Sequence, residues 1–70
     1  MSKSNKEVRV GQIVEVHPNN IYKIDDFNGN IIKGYLAGRL KRARLSIIIG
    51  DEVKYEVDEY GNNNRITRRL

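Results

Sequence analysis

Short runs that alternate apolar and polar side chains, each ended by a turn former, leave this chain little choice but a small sheet folded on itself. Alternation puts successive side chains on opposite faces of a strand. Residues 8–16, VRVGQIVEV, place Val8, Val10, Val14 and Val16 on one face, which makes that face the candidate for burial. Gly11 inside the run suggests a bulge or a sharp bend. HPNN then breaks the pattern, since Pro18 cannot donate to a ladder and Asn19 and Asn20 suit a turn. Residues 21–25, IYKID, form a second strand, and Asn28-Gly29 predicts a type I′ hairpin back into a third, IIKGYL at 31–36. After a Gly50-Asp51 turn, EVKYEV at 52–57 points Val53, Tyr55 and Val57 inward. YGNNN at 60–64 reads as a polar loop, and RITRR at 65–69 as a last strand with Ile66 inward.

Residues 37–44 differ in character. They contain no β-branched residue and are rich in good helix formers. So short a helix cannot stand alone, and Leu40 is the side chain available to dock it. Arg39, Lys41, Arg42 and Arg44 then point largely outward. Ile47, Ile48 and Ile49 follow after Leu45 and Ser46 and would anchor the base of this cationic segment to the sheet. The expectation is an all-β fold: a five-stranded OB-fold barrel with a short helical turn between strands three and four. Closing the sheet removes its edges and gives few apolar residues one shared interior.

Length and charge narrow the function. Seventy residues make one domain, read as an N-terminal segment, 1–7, leading into an RNA-binding domain, 8–70. The chain has no cysteine, so neither a disulfide nor a thiolate metal site is available to it. Its apolar runs are too short to cross a membrane as a helix, and no segment reads as a secretion signal. The expected compartment is the cytoplasm, or a plastid or other organelle. Charge is sorted into blocks. Residues 27–50 carry five cations and no acid, residues 51–59 five acids and one lysine, and residues 60–70 three arginines and no acid. Segregated positive charge is the footprint of a polyanion binder.

Chemistry is scarce by comparison. His17 is the one histidine, without partners for a metal. Asp25 and Asp26 are neighbours on a strand and point apart, a poor acid–base pair. The glycines lack phosphate-loop spacing. Nothing here calls for catalysis, a cofactor or a metal. Exposed rings beside cations are what base stacking needs, and Tyr22 and Tyr35 could share one sheet face; the alternative is that each ring packs inside. Tyr55 reads as core. Phe27 is either a loop anchor or a contact.

From Gly11 to about Arg69, the stretches GQIVEV, HPNNIYKI, FNGNII, LAGRLKRARLSIIIGD, GDEVKYEV and RITRR together resemble bacterial-type translation initiation factor 1. The resemblance implies an OB-fold monomer that binds the decoding A site of the small (30S) ribosomal subunit. There it would contact small-subunit ribosomal RNA beside a ribosomal protein and work with the other two initiation factors. By position it assigns Arg39, Lys41, Arg42 and Arg44 to the RNA-inserting region and Arg65 to an RNA-facing arginine, with Tyr22 and Tyr35 as exposed rings. The chain departs from the family in several places. Tyr35 stands where histidine is usual, Ala43-Arg44 replaces an asparagine and an aromatic, Ser46 stands where arginine is common, and YGNNNR is one residue shorter than the usual loop. Two other classes compete. A cold-shock-type single-stranded RNA chaperone would show more aromatic strands than this chain's 7% of aromatics allows. A protein-interaction module would dock through the acidic 51–59 segment.

Overall fold

The computed structural model describes residues 7–43, 46–57 and 64–70. The described residues form five strands: β1 (Glu7–His17), β2 (Ile21–Asp25), β3 (Ile31–Leu36), β4 (Glu52–Val57) and β5 (Asn64–Arg69). One turn of 3-10 helix, Pro18–Asn20, joins β1 to β2, and a five-residue helix α1 (Gly38–Arg42) follows β3. The strands close into a barrel in the order β1-β2-β3-β5-β4. All neighbours are antiparallel except β3 and β5, which run parallel and register only Tyr35 with Arg65 and Leu36 with Ile66. This is the expected OB-fold arrangement. The core is Ile13, Tyr22, Ile24, Leu36, Ile47, Val53, Tyr55 and Ile66, with Ile32, Leu40 and Val57 packed against it.

The buried face of β1 is opposite to the valine face. Val8, Val10 and Val16 are exposed, while Gly11 and Ile13 turn inward. Pairing with β4 decides this. Val8 and Val10 sit opposite Glu56 and Lys54, and Gly11 sits opposite Val53, one of the core residues. The ladder is irregular between Ile13 and Glu15, not at Gly11. Gly11 serves close packing instead. A Cβ there would collide with the Ile24 side chain, lie 2.7 Å from the Asp25 carbonyl oxygen and 3.1 Å from the Tyr55 ring.

The β2–β3 connection is a five-residue loop, 26–30, rather than a two-residue type I′ turn. The residues with positive φ are Phe27 (67°) and Gly29 (89°), not Asn28. Asp26 organises the loop. Its Oδ1 accepts from the backbone amides of Asn28 (2.8 Å) and Asn30 (3.1 Å), and its own amide donates to the Asn30 carbonyl at 3.0 Å. The Asn28 amide, ahead of the Asn30 amide and side chain, holds the Asp26 carboxyl below its ordinary range against the opposing effect of burial. Of the three isoleucines expected to anchor the cationic segment only Ile47 is buried; Ile48 and Ile49 are each 64% exposed. The 60–64 loop lies outside the described residues except for Asn64. That residue opens β5, is buried, and donates its side-chain amide to the Lys33 carbonyl at 2.9 Å. Residues 1–6 also lie outside them, and Glu7 already pairs with Val57.

Candidate nucleic-acid interface

Helix α1 exists because the barrel holds it. It has no side-chain cap, and its first bonds run from the Leu40 and Lys41 amides to the Ala37 carbonyl. Ala37 in turn donates to the Ile66 carbonyl at 2.9 Å, stitching the helix start to β5. Leu40 packs against the core as expected. Arg39 and Arg42, three residues apart, share the face that leans over β5. Together with Glu56, Arg65 and Thr67 they line a concavity of about 410 Å3. Lys41 is exposed and does not line it. Among the described residues, Arg39, Lys41 and Arg42 hold no carboxylate. Arg44 lies outside the described residues.

Arg65 reaches this concavity from the outer side of β5, with its guanidinium 2.8 Å from Glu56 Oε1. The pair is partly exposed, so the bond orients Arg65 more than it stabilises the fold, and a guanidinium has further donors to offer. Tyr35, on the outer face of β3, is registered beside Arg65 and is 36% exposed. Tyr22 does not join them. It is 5% exposed, on the inner face of β2 with Ile24, and burial pushes its hydroxyl pKa up. Strand alternation accounts for this: Tyr22 registers with Gly34, while Ile21 is the residue registered with Tyr35. The expectation of an exposed ring at Tyr22 is therefore corrected. No group of three or more His, Cys, Asp or Glu side chains gathers among the described residues.

No family model matches the chain. Individual proteins do. It is 38% identical over 69 residues to the chloroplastic translation initiation factor IF-1 of Dioscorea elephantipes, covering 97% of this chain and 90% of the relative. The corresponding protein of Cercidiphyllum japonicum is 39% identical over the same span. The chain belongs to the translation initiation factor IF-1 family. Its barrel superposes on the solution structure of the translation initiation factor IF-1 from the Wolbachia endosymbiont strain TRS of Brugia malayi with a TM-score of 0.78 at 27% identity, covering 99% of this chain and 84% of that one. It also matches YjeQ from Thermotoga maritima with a TM-score of 0.74 at 28% identity, over 91% of this chain but 23% of YjeQ. Membership of the IF-1 family gives the chain a role in translation initiation.

Within this IF-1 barrel the sequence reading had missed some of the basic surface. Lys54, Arg68 and Arg69 line a second concavity with Arg39. The acid-free 60–70 block was the available signal. What hid the grouping was the irregular β4–β5 ladder: Lys54 registers with Arg68 and Tyr55 with Ile66, so Thr67 is an extra residue that no count along one strand reveals.

Proposed function

We propose that this chain occupies the decoding A site of the small ribosomal subunit during initiation and grips small-subunit ribosomal RNA with Arg39, Lys41, Arg42, Arg44 and Arg65. It would act as a monomeric single domain, 8–70, alongside the other initiation factors. Tyr35 would stack on an unpaired base. The convergence of Arg39, Arg42 and Arg65 from two elements onto one concavity carries this reading. Phosphates supply most of the affinity in such a contact, and shape and stacking select the site. The chloroplastic names of the relatives support a bacterial-type translation system, whether in a plastid or a bacterial cytoplasm.

Sedimentation with 30S subunits across a salt series tests the proposal. Five phosphate contacts give a slope of log affinity on log salt of about −4. Replacing Arg39, Lys41, Arg42 and Arg44 with alanine should leave the barrel folded and remove most of the binding. Unchanged binding in that variant would sink the reading. Tighter binding of the parent to short single-stranded RNA than to subunits would point instead to a general RNA chaperone.

A further inference from the structure

Beside β4 and β5 lies a second concavity, of which the proposed function uses only Arg39. Arg39, Leu40, Lys54, Thr67, Arg68 and Arg69 wall a space of about 570 Å3 that is open to solvent. Four of these six residues are cations and none is an acid. Lys54 and Arg68 stand directly opposite each other across the ladder. Residues so opposed bring their Cβ atoms within roughly 4.5–5.5 Å, where like charges destabilise a sheet. Neither holds a carboxylate among the described residues. On β4 the Glu56 carboxylate holds Arg65, and Glu52 does not line this space. Arg69 is fixed in advance, donating to the Ser46 carbonyl at 2.7 Å. The Thr67 hydroxyl donates to the Lys54 carbonyl at 3.4 Å, tying the bulge to β4.

We propose that this groove is a second seat for the phosphates of an RNA backbone, joined to the first at Arg39 and Thr67, which line both. The proposal rests on the chain being an RNA binder in translation initiation and adds a distinct contact to it. An opposed lysine–arginine pair costs the free barrel stability, and a bound phosphate relieves the repulsion. Stability and binding should therefore move in opposite directions when the pair is removed. The groove's continuity with the α1 concavity favours a run of phosphates over a single small anion.

The test compares the parent with K54T/R68T, threonine being well suited to exposed strand positions. At low salt the double variant should melt at the same temperature as the parent or higher. Inorganic pyrophosphate should raise the melting temperature of the parent and not that of the variant. In sedimentation with 30S subunits, losing two phosphate contacts should make the salt slope shallower by about 1.4–1.8, so that a step from about 50 to 200 mM salt costs the variant roughly tenfold less affinity than the parent. An unchanged slope together with an unchanged pyrophosphate response overturns the proposal and leaves the α1 reading standing. A lost pyrophosphate response with an unchanged slope assigns the groove to small phosphate anions and overturns the RNA role. If the parent ignores 30S subunits altogether, the ribosomal reading fails, and the pyrophosphate comparison judges the groove alone.

Discussion

Gly11 is a residue whose side chain the barrel has no room for. The space a methyl group would need is taken by Ile24, the Asp25 carbonyl and the Tyr55 ring. Ile24 and Tyr55 are themselves fully buried and cannot swing away. Overpacking of this kind costs about 1–3 kcal/mol, so Gly11→Ala should lower the free energy of unfolding by that amount in equilibrium urea denaturation. A neutral result would mean that β1 shifts freely against β2. Asp26 offers a second check, through pH. Its carboxyl titrates below the ordinary value of 3.8 because the loop amides bind the charged form. A folded-state pKa that is depressed gives stability present above the unfolded-state value and lost as pH falls through the folded one. Asp26→Asn should therefore lower the melting temperature at neutral pH and make little difference at strongly acidic pH, where the parent has already lost the contribution. Parallel melting curves of the two proteins, offset equally at every pH, would contradict this.

At the scale of elements, α1 couples stability to the site. Five residues are too few for a helix to persist unaided, so Leu40 and the Ala37–Ile66 bond hold the arginines in place. Leu40→Ala should cost about 1–3 kcal/mol, less than a fully buried leucine because the side chain is only partly covered. It should also weaken 30S binding without removing a charge, and hydrogen exchange should speed up at the α1 amides. The strand and helix boundaries were legible because turn formers mark them and local propensity agrees with the fold. Which face of β1 is buried was not legible. Its four valines favour a strand by their branched shape wherever they point, and their direction is set by the partner strand, where Val53 sits opposite Gly11. The same limit explains Tyr22, whose inward aim follows from its register with Gly34, and the 26–30 loop, where the Asp26 carboxylate outweighs the turn preference of Asn28-Gly29. For the candidate site, the α1 cations stand out in the sequence as a cluster in an acid-free block. The Lys54–Arg68 opposition depends on a bulge that composition does not encode.

For the molecule as a whole, the seam that closes the barrel is flanked by cations. β3 and β5 share only two registered pairs, with the Ala37–Ile66 bond extending them. Tyr35 and Arg65 stand on the seam. The α1 cations Arg39 and Arg42 lean over its β5 strand beside Arg65 and Thr67, and Arg68 and Arg69 continue along β5. In a chain of net charge +4, Arg39 and Arg42 thus add like charge beside a seam of two registered pairs. Exposed charges interact over about 10 Å at 0.1 M salt, and added salt shortens that range. Sodium chloride should therefore stabilise the free barrel while loosening its hold on RNA. If screening recovers about 1 kcal/mol, a domain of this size gains about 4–8 °C in melting temperature. The gain should shrink in Arg39→Gln/Arg42→Gln, which removes two of the charges beside Arg65. Thermal melts of the free protein over a sodium chloride series measure it. A melting temperature that is flat or falls with salt would show that these cations are already compensated in the free chain, and the surface would then have no surplus charge to offer a phosphate backbone.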